Sequence, residues 1–325
     1  MTQDILLTAR LNDESEAALR QHARLHFLTD LTEDALAEQI AGKAAVIVRG
    51  AAPVTARVID AAPELKVIAR TGVGYDSVDI AHATARGIPV TFTPGAGSRA
   101  VAEASMTFML ALVKRLTEWN DGLKDGDWQA RYTRQGGDLD GRTLGIVGFG
   151  QIGQILAEMA RPFNMTVTAF DPYAPQDVFD RCQVTRVSLE TLYGNSDIVS
   201  LHCPQTPETT GLIDAKAIRT MKRGSYLINL ARGGVVESLD VLHDGLTSGH
   251  LGGVGLDVFQ PAPPDTSHPI FSLPNCVVTP HALATTEGAM ARILAASTSD
   301  VIAVLQGRRP ASMVNPEVMK ERVSL

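Results

Sequence analysis

Three glycines within six residues could bring a polypeptide backbone close to a phosphate group. The segment Gly-Phe-Gly-Gln-Ile-Gly at 148–153 follows the apolar run 143–147 and opens a segment of helical period that ends at Pro162. Its first glycine would make a tight turn, the second would admit a pyrophosphate, and the third would let helix and strand pack closely. The helix N-terminus would add free N–H groups and the positive end of its dipole. This context predicts a dinucleotide site.

An acidic residue follows the next apolar run, 166–170. Asp171 lies 18 residues after Gly153, where a carboxylate can accept hydrogen bonds from the hydroxyl groups of an adenosine ribose. A carboxylate there would also repel a 2'-phosphate, and no arginine stands beside it in Asp171-Pro172-Tyr173. The sequence therefore favours NAD over NADP.

Among the residues that follow predicted strands in the second half of the chain are an arginine and two histidines. Arg232 follows the strand 226–230, at the carboxyl end where open α/β sheets bind ligands, and a guanidinium suits bidentate recognition of a carboxylate. His202 and His281 also follow strands. An imidazole has an ordinary pKa of about 6.5 and can give and take a proton near neutral pH. Position alone does not choose between the two histidines.

The elements that must position these groups form two alternating series. Short apolar runs separated by segments of helical period indicate parallel sheets with crossover helices. In the first series we predict strands at 5–9, 44–48, 67–69 and 88–91 and helices at 14–24 and 76–85. After a glycine-rich break at 94–98 we predict a helix at 99–121, a loop at 125–142, strands at 144–149, 166–170, 198–202, 226–230, 253–258 and 277–279, and a last helix at 286–305.

Composition excludes several classes of protein. The 325 residues are 45% hydrophobic and 20% charged, which is sufficient for two globular domains. The net charge is -7 and the basic residues are scattered, so nucleic acid is not an expected partner. No signal segment or run of about 18 apolar residues is evident, and the three cysteines lack zinc-site spacing. We expect a cytoplasmic protein without a metal or a membrane partner.

Five further segments, in order around the glycine motif, cover almost the whole chain. They are Arg-Thr-Gly-Val-Gly-Tyr-Asp at 70–76, Leu-His-Cys-Pro at 201–204, Asn-Leu-Ala-Arg-Gly-Gly at 229–234, Gly-Leu-Asp-Val-Phe at 255–259 and Thr-Pro-His at 279–281. With them the chain resembles the D-isomer-specific 2-hydroxyacid dehydrogenases. The resemblance implies hydride transfer between NAD and a small 2-hydroxy or 2-keto acid, with D stereospecificity. It also implies two doubly wound α/β domains, with a Rossmann domain (99–287) inserted into a flavodoxin-like substrate domain (1–98 and 288–325), and a homodimer.

The resemblance also implies roles for single residues. The backbone of Val73 and Gly74 would receive the substrate carboxylate, Arg232 would bind the substrate, and His281 would be the acid/base. Arg49 is either a second cation near the substrate or a solvated arginine. Asp257 would hold the nicotinamide carboxamide. The full set expected to contact the cofactor is Gly148, Gly150, Gln151, Ile152, Gly153, Asp171, Pro172, Tyr173, His202, Cys203, Pro204, Thr209, Leu230, Ala231, Asp257, His281 and Ala284.

The sequence departs from the family pattern at one position. Family members usually carry a glutamate five residues after the aspartate of the Asp-Val-Phe segment, where it binds the catalytic histidine, but this chain has Ala262. Three alternatives remain: another acid (Glu237, Asp265 or Glu287) replaces it, the histidine works alone, or the protein is an NAD-binding sensor that has lost dehydrogenase activity. The substrate side chain is not fixed by any of these residues.

Overall fold

The chain divides into two compact units. The computed structural model describes residues 3–319, and its units are Met1–Gly97 with Thr286–Leu325, and Ser98–Thr285. The boundaries expected from the sequence differ slightly, because Ser98 is the first residue of a long helix and Thr286 caps the last one. Both residues therefore belong with the helices that they begin.

The first unit is a five-stranded parallel sheet covered by helices. Its strand order is β2-β1-β3-β4-β5, the flavodoxin-like order. The strand Ala45–Val48 is wholly apolar and fully buried, as expected for a parallel strand with helices on both faces. The elements are β1 (Gln3–Leu7), α1 (Asp13–Arg20), β2 (Ala23–Phe27), α2 (Glu33–Gln39), β3 (Ala45–Val48), α3 (Ala56–Asp60), β4 (Val67–Arg70), α4 (Ile80–Ala85) and β5 (Val90–Thr91).

A long helix that follows the second unit along the chain belongs to the first unit. It spans Glu287–Leu305 and is named α12 below, after the eleven helices that precede it. The Thr286 hydroxyl accepts a hydrogen bond from the Ala289 N–H and caps it, and Leu294 and Val301 join the core behind β1, β3 and β4. By length and composition α12 could cross a bilayer, but half of its apolar window is buried inside the unit, and core helices pass the same test.

The second unit is a seven-stranded parallel sheet. Its strand order is β12-β11-β10-β9-β6-β7-β8, which places the reversal of the winding between β6 and β9, the point where Rossmann folds bind their ligands. The elements are α5 (Ser98–Val113), α6 (Leu116–Lys124), β6 (Thr143–Val147), α7 (Gln151–Ala160), β7 (Thr166–Phe170), α8 (Gln176–Arg181), β8 (Thr185–Arg186), α9 (Leu189–Asn195), β9 (Ile198–Leu201), α10 (Ala215–Thr220), β10 (Ser225–Asn229), α11 (Leu239–Thr247), β11 (Leu251–Leu256) and β12 (Cys276–Val278).

The local predictions were wrong at several positions. The helix predicted at 14–24 ends at Arg20, and the chain turns at once into the edge strand β2. The helix predicted at 99–121 is two helices, because Arg115 adopts a left-handed backbone conformation (φ 54°) that ends one and starts the other. The short edge strand β8 was missed because two exposed residues carry no apolar pattern.

Candidate functional site

The glycine turn after β6 has the shape that the motif predicts. Gly148 has φ 93°, and a Cβ atom there would lie 2.6 Å from the Cys203 nitrogen and the His202 carbonyl carbon. A Cβ on Gly153 would lie 2.5 Å from the Gly148 oxygen, so both positions exclude side chains. A Cβ on Gly150, in contrast, would meet no atom within 4 Å, which leaves open space at the N-terminus of α7. The turn therefore fits a pyrophosphate at this helix end, where the first-turn N–H groups of Gln151 and Ile152 lie.

Asp171 lies beside this turn, at the end of β7. Its Oδ2 accepts a hydrogen bond from the Phe149 N–H (2.8 Å), and its Oδ1 accepts from the N–H groups of Tyr173 (2.8 Å) and Ala174 (3.0 Å). The carboxylate is thus fixed in orientation and linked to the glycine turn. Pro172 and the highly exposed Tyr173 continue the same edge.

Arg186 was missed by the sequence reasoning. It lies on β8, and its Nη2 donates to the carbonyl oxygen of Asp171 at 2.8 Å, while its guanidinium lies over the Phe179 ring. No arginine is adjacent to Asp171 in sequence, but the pairing of β7 with β8 brings one there. A cation therefore stands close to the residue expected to exclude a 2'-phosphate.

We expect Asp171→Ala to weaken NADH binding about tenfold or more, because hydrogen bonds to a charged group contribute roughly 1.5–3 kcal/mol. Discrimination against NADPH should fall at the same time, since the repelling carboxylate is gone and the cation of Arg186 remains. Fluorescence titration with both reduced cofactors measures this. In the control Asp171→Ala/Arg186→Gln, NADPH affinity should fall again. A wild-type protein that bound both cofactors equally well would contradict the role of Asp171.

His202 and Cys203 lie at the end of β9 and pack against the glycine turn. The His202 Nε2 is 2.8 Å from the Ser200 hydroxyl, and its Nδ1 is buried without a partner among the described residues. Burial lowers the pKa of His202 to about 4, so the ring is neutral near pH 7 and is a poor proton donor. Burial also raises the pKa of the Cys203 thiol to about 11, which leaves it protonated and unreactive. Position could not separate the two histidines, but this difference in burial does.

The turn after β9 is closed by Thr209. Its hydroxyl donates to the Pro204 carbonyl oxygen at 2.6 Å and accepts from the Thr206 N–H at 2.8 Å. Pro204 and Thr209, both expected to contact the cofactor, therefore belong to one closed turn beside the glycine motif.

Arg232 lies on a turn whose backbone is hydrogen-bonded by the Asn229 side chain. The buried Asn229 side chain accepts from the Ala231 N–H (3.0 Å) and donates to the Arg232 carbonyl oxygen (2.9 Å). Leu230 and Ala231 are buried, whereas Arg232 is half-buried and its Nη1 donates to the Ala231 carbonyl oxygen. Asn229 is a second residue that the sequence reasoning did not single out, although its place inside the Asn-Leu-Ala-Arg segment was a signal.

Two glycines after Arg232 allow another segment to approach. A Cβ on Gly233 would lie 2.1 Å from the Phe259 carbonyl carbon, and one on Gly234 would lie 2.0 Å from the Gln260 side chain. The Gln260 side chain in turn accepts a hydrogen bond from Gln205 at 3.0 Å. The segment that carries Ala262 is therefore packed directly against the Arg232 turn.

His281 is exposed on the loop after β12 and has a left-handed backbone conformation, φ 54°. Asp257, which is buried at the end of β11, holds this loop: its Oδ1 accepts from the Thr279 hydroxyl (2.5 Å) and from the N–H groups of Ala282 (2.9 Å) and Leu283 (3.2 Å). One oxygen of Asp257 thus supports the loop, and its expected contact with a carboxamide stays a prediction. Ala284 packs against the core of the same unit.

No carboxylate in residues 3–319 forms a hydrogen bond or an ion pair with the His281 imidazole. Asp265, one of the candidate replacements for the missing glutamate, accepts bonds from the Ser267 N–H and hydroxyl, which lower the pKa of its carboxyl. Glu237 and Glu287 are exposed. The described residues also include no group of side chains that could hold a metal ion.

In the first unit, the loop after β4 presents two backbone donors. Val73 is exposed, and neither its N–H nor that of Gly74 has a hydrogen-bond partner within the described part of the chain. Two free adjacent N–H groups are suited to an anion such as a carboxylate. Arg49 lies in the same unit, where its Nη1 donates to the Arg10 carbonyl oxygen at 2.9 Å; a role of its charge near the substrate stays a prediction.

Residues 106–282 match the family model "D-isomer specific 2-hydroxyacid dehydrogenase, NAD binding domain". A glyoxylate reductase of Korarchaeum cryptofilum is 34% identical in an alignment of 330 positions, which covers 99% of this chain and 98% of that protein. A D-3-phosphoglycerate dehydrogenase of Methanocaldococcus jannaschii is 35% identical over 98% of this chain, but the match covers only 61% of its length. The chain thus spans about three fifths of this longer relative.

Solved structures of similar proteins have the same fold as this chain. The TT0316 protein of Thermus thermophilus superposes with a TM-score of 0.86 at 36% identity, over 96% of this chain and all of that one. D-Lactate dehydrogenase of Aquifex aeolicus, solved with NAD and lactic acid, gives a TM-score of 0.84 at 28% identity, over 98% of both chains. With the glycine turn, Asp171 and the matched domain, NAD is the cofactor that the second unit is built to bind. This protein belongs to the D-isomer-specific 2-hydroxyacid dehydrogenase family.

Proposed function

We propose that this protein is an NAD-dependent dehydrogenase that interconverts a small 2-keto acid and the corresponding D-2-hydroxy acid. The observation that carries the proposal is the loop of His281, which Asp257 fixes at the carboxyl edge of the sheet that also carries the glycine turn. A proton donor and a dinucleotide site at one sheet edge are what reduction of a carbonyl requires.

Each side chain has a defined task in this proposal. Bound NADH supplies the hydride. The guanidinium of Arg232 binds the carboxylate and carbonyl oxygens of the keto acid and polarises the carbonyl, and the free N–H groups of Val73 and Gly74 receive the carboxylate. The protonated His281 imidazole gives its proton to the oxygen that becomes the hydroxyl, and in the reverse direction it takes that proton back.

The missing glutamate does not by itself argue against this activity. His281 lacks a carboxylate partner among the described residues, but it is exposed and can exchange protons with water. It can therefore serve as the proton donor without a carboxylate partner.

The first experiment is an assay of NADH oxidation with glyoxylate, hydroxypyruvate, pyruvate and bulkier 2-keto acids. Glyoxylate leads the panel because the glyoxylate reductase of Korarchaeum cryptofilum matches this chain from end to end, whereas the phosphoglycerate dehydrogenase is much longer. Turnover of at least one acid, with the D-hydroxy acid as product, supports the proposal. Tight NADH binding without turnover of any acid would refute it and favour a sensor.

We further propose that two copies of the chain associate through the second unit. Helix α6 has no buried residue although Leu116 and Leu123 are apolar, and they are 60% and 57% exposed. Trp128 and Tyr132, in the turn that follows, are 56% and 69% exposed. Four large apolar side chains within seventeen residues form the kind of surface that subunit interfaces bury.

Replacing Leu123 and Trp128 together by glutamate should convert a wild-type dimer into a monomer, because two charges would have to be buried in the interface. Sedimentation equilibrium measures the mass. The matched control is Leu31→Glu, since Leu31 is 50% exposed in the first unit and lies outside this surface. A monomeric wild type, or a double variant that stays dimeric, would show that this surface is not the interface.

A further inference from the structure

We infer that Arg70 and Thr93 are positioning residues for substrate binding, acting through the loop that they hold, residues 71–74. The inference rests on the proposed function, in which the N–H groups of Val73 and Gly74 receive the substrate carboxylate. Neither side chain needs to touch the substrate to act in this way. The hydrogen bonds from which the inference is argued lie within the first unit.

The first support is the guanidinium of Arg70, the last residue of β4. Its Nε donates to the Gly74 carbonyl oxygen at 2.8 Å, and its Nη1 donates to the Gly50 carbonyl oxygen at 2.6 Å and, more weakly, to that of Val48 at 3.3 Å. The Arg70 side chain therefore links Gly74, at the end of the loop, to Gly50, in the turn after the neighbouring strand β3. A planar fork with several donors suits this task better than the single ammonium group of lysine.

The second support is Thr93, which holds the near end of the loop. The Gly72 N–H donates to the buried Thr93 hydroxyl at 2.9 Å, and the Thr93 N–H donates to the Gly72 carbonyl oxygen at 3.0 Å. Gly72 has φ 117°, a conformation that residues with a side chain rarely adopt. The two hydrogen bonds with Thr93 hold Gly72 in this conformation.

The hydrogen bonds of Arg70 and Thr93 occupy polar backbone groups of Gly72 and Gly74, but they leave the N–H groups of Val73 and Gly74 available to a ligand. Gly72 uses both its N–H and its carbonyl, and Gly74 uses its carbonyl, whereas the N–H groups of Val73 and Gly74 have no partner within residues 3–319. Donors fixed in advance bind an anion without the cost of ordering the loop. The positions of Arg70 and Thr93 therefore set how well the carboxylate is bound.

The consequence is a specific kinetic pattern. A carboxylate is bound equally in the ground state and the transition state, so loss of its donors should raise KM and leave kcat almost unchanged. Loss of general structure would instead change kcat, NADH affinity and thermal stability together. The hydrogen bonds of Arg70 and Thr93 given above lie in the first unit, whereas the glycine turn and Asp171 lie in the second, so we expect NADH affinity to stay near wild type.

Thr93→Val removes the hydroxyl at nearly constant shape, and Thr93→Ser keeps it, so the two form a matched pair. Arg70→Met removes the donors at similar side-chain length, and Arg57→Met is its control, since Arg57 is an exposed arginine of the same unit paired with Asp34. Steady-state kinetics with the best keto acid of the panel are combined with titration of the NADH complex by oxamate, an unreactive analogue of a keto acid.

We expect Thr93→Val and Arg70→Met each to raise KM and the oxamate dissociation constant about tenfold, roughly one lost hydrogen bond to a charged group. Thr93→Ser and Arg57→Met should stay near wild type. If the wild type is active but Thr93→Val and Arg70→Met keep normal KM and oxamate affinity, the inference is wrong and the proposed function stands. The same holds if Thr93→Ser is as impaired as Thr93→Val. A wild type without turnover would refute the proposed function, and with it this inference. If Arg70→Met does not fold, the threonine pair decides.

Discussion

His281→Ala should lower kcat/KM for keto-acid reduction by about 10²–10⁴, the usual contribution of a positioned general acid. NADH affinity should remain near wild type, because the glycine turn and Asp171 are untouched. The matched control is His268→Ala: His268 lies in the same unit, but its ring is engaged by Asp240 and by the Ile270 N–H. A His281→Ala protein that reduces the acid at the normal rate would remove His281 from the reaction.

A substitution at Ala262, where family members usually have a glutamate, gives a second test of His281. If Ala262→Glu supplies a carboxylate to the imidazole, the protonated ring is favoured, and reduction should persist to higher pH than in the wild type. The alkaline limb of the kcat/KM profile measures the change, and Ala262→Gln controls for side-chain size without charge. Profiles that coincide in all three proteins would show that residue 262 does not reach the histidine, or that another acid already serves it.

Arg232→Lys should lower kcat/KM at least about tenfold, which corresponds to about 1.4 kcal/mol of transition-state binding. An ammonium keeps the charge but loses the two-pronged geometry by which a guanidinium holds a carboxylate and a carbonyl together. The control is Arg219→Lys, an exposed arginine of α10. If both variants had wild-type kinetics, Arg232 would not bind the substrate.

Much of the fold follows from local patterns in the sequence. The buried strands were evident because parallel strands covered on both faces are runs of apolar residues, as in β3. The glycine turn was equally evident, since its steric requirements fall on residues close together in the chain. Edge strands such as β2 and β8 were missed because their exposed, mixed residues have no such requirement.

Contacts made by tertiary pairing could not be predicted from the sequence. Arg186 reaches Asp171 only because β8 lies beside β7. The hydrogen bonds from the His281 loop to Asp257 likewise form because β12 lies beside β11. The family resemblance supplied Arg232, His281 and Asp257, but neither the hydrogen bonds of Asn229 to the Arg232 turn nor those of Asp257 to the His281 loop. Such supporting contacts link residues far apart in sequence, and no local pattern encodes them.

The division of the first unit into two chain segments has a consequence for synthesis. The second unit is a continuous stretch, Ser98–Thr285, and can complete its sheet as soon as it leaves the ribosome. The first unit must wait for α12, because Leu294, Val301 and Val304 fill the core behind β1, β3 and β4. Until α12 emerges, the nascent sheet of the first unit carries an uncovered apolar face. The strands before Ser98 are thus completed only after the second unit has been made, and we expect chaperones to bind them during translation.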